Sequence, residues 1–153
     1  MTDWIFEGNP HRFGLHEAVA ASRQQWWSTP HYRDQTAVGD RVWLQIVGPD
    51  HPGLYYVAAI VTPTYEHPGG EDGPSPYGHW RTDIRFDYRI SPPLLRTELL
   101  ADAELGAFAP FRGFQGSTVP VPPDIAAALA ERARPRLHTL DPNGNEDTGA
   151  AAT

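Results

Sequence analysis

From Thr82 to Ile90 the chain alternates residue by residue between charge and bulk, with Asp83, Arg85, Asp87 and Arg89 set against Ile84, Phe86, Tyr88 and Ile90. A two-residue period puts each set on its own face of an extended strand, so the spacing predicts a half-buried β-strand. Upstream, Leu54 to Val61 is nearly all apolar, as a central strand covered on both sides requires. A loop from Gly48 to Gly53 joins it in a hairpin to a strand expected over Arg41 to Val47. Ala37-Val38-Gly39-Asp40 forms a tight turn into that strand, which accounts for Asp40 by turn chemistry rather than acid catalysis. Asp3 to Glu7 reads as a further strand, closed by Gly8-Asn9-Pro10, and the spacing of Leu15, Ala18, Val19 and Ser22 predicts a helix from Leu15 to Arg23. His31 to Thr36 is expected as a turn, Arg96 to Leu105 as a short helix, Ser117 to Val119 as a strand and Pro123 to Arg134 as a closing helix. Thr62 to Gly78, crowded with Pro, Gly and acidic residues, is a long loop of the kind that carries function. This order predicts an α+β fold, with a small, mostly antiparallel sheet able to curl into a barrel.

The 153 residues suffice for one domain with a core. It is expected to span 1–139, and the polar, small-residue composition from about Leu140 marks 140–153 as a disordered tail. The chain has no cysteine, which excludes disulfides, thiolate metal sites and cysteine nucleophiles. Its twelve basic residues are all arginine and its formal charge is −7, so it cannot coat nucleic acid indiscriminately, and lysine-dependent phosphate loops and Schiff bases are ruled out. The start MTDWIFEGNP lacks the basic and apolar segments of an export signal, no run approaches a membrane span, and a cytoplasmic location is expected.

Trp26-Trp27-Ser28-Thr29 bears most directly on function. An aromatic wall beside a hydroxyl can grip a flat heterocycle by stacking and by reading its edge. Two strand tryptophans packing on opposite faces of a sheet are the plainer account, and the pair alone does not decide between them. The seven histidines form no ligand array: His11 and His16 are five apart and there is no HExxH, so no metal site is expected. His31 has no nucleophile pattern beside it, and Ser28 lacks a base. Glu66, Glu71 and Asp72 lack calcium-loop spacing. Arg81, Arg85 and Arg89, interleaved with acids, are either a salt-bridged wet face or a strip for phosphates.

Taken in order, DWIFEGNP, WWSTPHYRDQTAVGDRVWLQIVG, GLYYVAAIV, HWRTDIRFDYRI and FRGFQGSTVPVPPDIAAAL resemble an EVE domain of the PUA-like superfamily, over most of residues 3 to 133. EVE domains resemble YTH domains, the readers of N6-methyladenine, and similar domains stand at the N-terminus of modification-dependent restriction proteins. The resemblance implies a mixed, barrel-like sheet with flanking helices. It places Trp27 as one wall of a modified-base cage, with Ser28 and Thr29 beside the base and Asn9 reading its edge. The second wall would come from Tyr77 or Trp80, and Arg112 with Gln115 and Ser117 would lie near the ligand. Within the pair, Trp26 is the expected packing residue and Trp27 the expected wall, although Trp26 counts among the base-contacting residues. Arg33 and Arg81 join Arg112, Gln115 and Ser117 as expected backbone contacts. The acidic chain departs from the basic surround of YTH pockets.

These readings converge on a non-catalytic module that recognises a methylated adenine or cytosine derivative in DNA or RNA through an aromatic cage, with no cofactor and no membrane partner. A neutral base is held by stacking and shape, about 1–3 kcal/mol per stacked base, and must be flipped out or single-stranded. A separately encoded nuclease or restriction-type effector would supply any cleavage. The alternatives are a small enzyme acting on a nucleotide or nucleoside through His31 and a carboxylate, and a module binding a protein or metabolite.

Overall fold

The computed structural model describes residues 1–8, 14–29, 31–67, 80–112 and 118–142. Eight strands form one sheet: β1 (Asp3–Gly8), β2 (Gln24–Ser28), β3 (Arg41–Ile46), β4 (Gly53–Ile60), β5 (Tyr65–Glu66), β6 (Trp80–Leu95), β7 (Thr118–Val121) and β8 (Leu137–Thr139). The helices are α1 (Leu15–Ala21), α2 (Arg96–Ala101) and α3 (Pro123–Ala133), with 3-10 turns at Ala109–Arg112 and Arg134–Arg136. The strand order is β2-β6-β4-β3-β1-β7, with β5 and β8 also on β6, and among the described residues β1 with β3 is the one parallel pair. The sheet curls into a half-barrel. The indole of Trp27 on β2, at one end of that order, donates to the Glu7 carbonyl of β1 near the other, 3.2 Å away.

Each face of the sheet carries its own core. Trp4, Phe6, Val42, Leu44 and Ile46 point inward with Trp27 and with Leu15 and Val19 of α1, while Ile5, Trp43 and Val57 point outward to Leu99, Phe111 and Leu129 beneath α2 and α3. Burial on both sides explains why β3 and β4 read as apolar runs. Two buried carboxylates tie the strands together. Asp3 accepts from the Trp43 indole (2.9 Å) and from Arg41 (2.7 Å), and Asp40 accepts from the Trp4 indole (2.9 Å) and the N–H groups of Thr2 and Ala37. The contact with Ala37 closes the turn expected at Asp40.

The alternation in β6 breaks midway. Opposite β4 the register runs Ala58 to Phe86 and then Val57 to Tyr88, so Asp87 is an extra residue, a β-bulge. Because side chains have a period of two, that residue exchanges the faces beyond it. Ile84 and Phe86 lie in the inner core, while Tyr88 and Ile90 pack into the outer one, correcting the single apolar face expected for all four. Arg89 turns away from Arg81 and Arg85 and lies opposite Tyr56 instead, and Arg85 pairs with Asp87 (2.7 Å). β8 was not expected. It pairs with β6 across Tyr88 to Ile90, Leu140 behind it is 5 % exposed, and the inner core therefore takes in the first residue of the expected tail.

Candidate functional site

β2 is short and polar at its start, and it holds its place by pairing with the beginning of β6: Trp26 opposite Asp83, Trp27 opposite Thr82, Ser28 opposite Arg81. Opposed residues in an antiparallel ladder share a face. Trp27, Thr29, Trp80 and Thr82 therefore face inward, and Trp26, Ser28, Arg81 and Asp83 face outward. Trp26 and Trp27 cannot wall the same cavity.

Burial corrects the packing role expected for Trp26. Trp27 is 8 % exposed and belongs to the inner core, where a side chain on Gly8 would meet its ring at 3.4 Å. Trp26 is 47 % exposed, with the Arg81 guanidinium stacked 3.7 Å from its ring centroid. Beside them Tyr65 donates to Asp83 (2.6 Å). Burial first, then the bond to Asp83 and its negative charge, push the Tyr65 phenol up to about 12 against the opposing pull of Arg81, so it stays a neutral donor at any physiological pH.

At the inner face, Thr29 is fully buried, its N–H bonded to the Trp80 carbonyl (2.9 Å). Its hydroxyl starts a chain of four: Thr29 to Thr82 (3.0 Å), Thr82 to Thr64 (2.7 Å), Thr64 to Thr36 (2.8 Å), with Thr36 donating onward to the Arg33 carbonyl (3.4 Å). The Arg33 guanidinium lies 4.2 Å from the Trp80 ring centroid, a cation over an indole face. The structure thus brings Trp27, Thr29 and Trp80 to one face, with Arg33 at its edge, and sets Trp26, Ser28 and Arg81 on the other. Arg112 ends a 3-10 turn next to Phe111 of the outer core, its Nε bonded to the Gly106 carbonyl (3.0 Å), and no contact joins it to Trp27 among the described residues. Asn9, Tyr77, Gln115 and Ser117 lie outside the described residues.

Gly8, Thr36, Thr64 and Thr82 join the site only through the fold. Lone threonines in separate segments carry no pattern, while the strand-ending Gly8 beside Asn9 was a usable signal. His31 is exposed and makes no hydrogen bond or ion pair among the described residues. No three of His, Asp and Glu among those residues are grouped so as to hold a metal ion.

No protein-family model matches the chain, and no curated protein matches it either. Solved structures do. A hypothetical protein from Leishmania major superposes with a TM-score of 0.72 at 22 % identity, over 87 % of this chain and 94 % of that one. The DUF55 domain of human thymocyte nuclear protein 1 superposes at 0.72 with 12 % identity, over 86 % and 98 %. Human THYN1 protein, in a complex with DNA containing 5-methylcytosine, superposes at 0.68 with 12 % identity, over 87 % and 98 %. With high coverage of both chains, this half-barrel with its flanking helices is the fold that these structures share.

Proposed function

We propose that the protein is a non-catalytic module that reads a modified base in DNA, with 5-methylcytosine the first candidate. One observation carries the reading: two indoles, Trp27 and Trp80, stand on the same inner face of the β2–β6 ladder, one on either side of the Thr29–Thr82 hydroxyl pair. Such a face can stack a planar base and offer a polar atom to its edge. The likeness in fold to a human protein seen with 5-methylcytosine DNA supports the choice of ligand. Trp27 is the fixed wall, locked by its bond to Glu7 and by the close approach of Gly8. Trp80, half-buried under Arg33, is the wall a base can reach, and the base-contacting roles of Asn9 and Tyr77 rest on the sequence resemblance alone. Methyladenine is the second candidate base. The arginines that flank the indoles, Arg33 and Arg81, meet the phosphates on either side of a flipped nucleotide.

The test is fluorescence anisotropy with labelled duplexes that differ only at one cytosine, carrying 5-methyl, 5-hydroxymethyl or no substituent, and a fourth carrying N6-methyladenine. The methylated cytosine strand is expected to bind best, and Trp80→Ala to weaken it about tenfold, the loss of roughly one base-aromatic stack. Trp27→Phe keeps the core filled while removing the indole N–H, and should narrow the preference for the methyl group. Equal affinity for modified and unmodified duplexes would overturn the reading.

A further inference from the structure

A second concavity, of about 490 Å³, opens on the far side of α1, between that helix, β4 and the part of β6 beyond the bulge. Neither Trp27 nor Trp80 lines it, and neither do Gly8, Thr29 and Thr82. Its walls are aromatic: His16 stands edge-on to Tyr55 (5.5 Å between centroids) and tilted to Tyr56 (5.7 Å), and its Nδ1 is hydrogen-bonded to the Tyr56 hydroxyl at 2.7 Å. Its charged lining is wholly basic. Arg23 and Arg89 both face it, and among the described residues no acidic one does, in a chain whose net charge is −7.

Arg23 carries the argument. It is 7 % exposed, and its donors go to backbone carbonyls, Nε to Asp141 (2.9 Å) and Nη1 to Val19, with no carboxylate partner among the described residues. Buried cations are ordinarily matched by an opposite charge. Here the guanidinium borders a cleft of the size that holds a small ligand, between flat side chains. The bulge at Asp87 brings Arg89 to the same place, by turning it off the outer face of β6.

We propose that this cleft is a binding site for a small organic anion with a planar ring, of the size of a nucleoside monophosphate: the ring lies against His16, Tyr55 and Tyr56, and the anionic group faces Arg23 and Arg89. The site is separate from the base-reading face and does not depend on it. Calorimetric titration of the full chain with adenosine 5′-monophosphate, adenosine and inorganic phosphate tests it. The monophosphate should bind at least about tenfold more tightly than either fragment, since both halves of the cleft contribute. Arg23 also pins the end of α1, so the variant of choice is Ala20→Trp, which fills the cleft from an exposed helix position and should cost at least about tenfold in affinity; Arg89→Met should weaken the monophosphate and leave adenosine unchanged. Trp80→Ala should bind the monophosphate as well as the parent. Monophosphate binding no tighter than that of either fragment, or undiminished in Ala20→Trp, would overturn the proposal. Loss in Trp80→Ala alone would overturn it too, by assigning the nucleotide to the base-reading face.

Discussion

Trp26 and Trp27 are neighbours in the chain and opposites in the fold: one indole lies under a guanidinium at the surface, and the other is sealed against Gly8 and Glu7. That the two would part company follows from strand geometry and was legible in the sequence. Which of them turns inward was not. The choice is made by the register against Asp83 and Thr82, more than fifty residues away, and no local pattern encodes it. Asp40 shows the same limit. Its turn role could be read from Gly39-Asp40, but its bond to the Trp4 indole, across 36 residues, could not. That bond yields a prediction at this scale. Asp40→Ala leaves the buried Trp4 indole N–H unmatched together with two backbone donors, and should cost about 1–3 kcal/mol for each donor that water does not reach. Equilibrium urea unfolding measures it, and an unchanged midpoint would remove Asp40 from the strand-tying role assigned to it.

At the scale of elements, the strands with strong patterns lie close to where the sequence puts them, and the departures come from pairing. The alternation of Thr82 to Ile90 reads as one uniform strand because a bulge leaves no mark on composition; only the partner strand shows that Asp87 is supernumerary. β8 escaped for a related reason: Leu137–Thr139 is three residues long and is defined by Arg89 opposite His138 rather than by any run of its own. Gly53 is required by such a pairing. An added Cβ would stand 2.4 Å from the Leu94 carbonyl oxygen and 2.8 Å from the Leu95 Cα, both backbone atoms, so Gly53→Ala must push β4 off β6. A loss of about 1–3 kcal/mol is expected from such overpacking, read as a lower thermal midpoint, and Gly39→Ala makes a useful contrast because the space around that glycine is open and only its positive φ resists.

The α2–α3 junction has a pH dependence of definite sign. Burial raises the Asp102 carboxyl, but the N–H groups of Glu104 (2.9 Å) and Leu105 (3.2 Å) and the Arg132 guanidinium (3.0 Å) outweigh it, and the group titrates below the ordinary carboxylate value. A depressed folded-state pKa contributes stability in full above the unfolded value, about 4, and loses it as pH falls through the folded one. The urea midpoint of Asp102→Asn should therefore lie below that of the parent near neutral pH, and the gap should close on acidification. A gap of constant size would show that the carboxylate's charge is not what holds α2 to α3.

For the molecule as a whole, two cores on two faces of one sheet place α1 on the inner side with Trp27 and leave α2 and α3 to the outer side. The fold class and the barrel-like curl were legible from the order of patterned segments. The candidate site was legible only in part, because its inner face is assembled from β2, the start of β6 and the turn at Arg33, whose meeting depends on the curl. The charge of −7 confines any nucleic-acid contact to a few arginines. With Arg33 and Arg81 as the phosphate contacts, the slope of log affinity against log salt should be only about −2. A slope several times steeper would point to a basic surface outside the one described.

The threonine chain also has a direction. The Arg33 carbonyl can only accept, so Thr36 donates to it, Thr64 to Thr36, Thr82 to Thr64 and Thr29 to Thr82. Each hydroxyl donates toward the Arg33 end of the row, and the Thr29 oxygen is left with lone pairs alone. On the proposed reading, a base that reached this fully buried oxygen would meet an acceptor, suited to an exocyclic amine such as cytosine and adenine carry and unfavourable to the carbonyl of thymine.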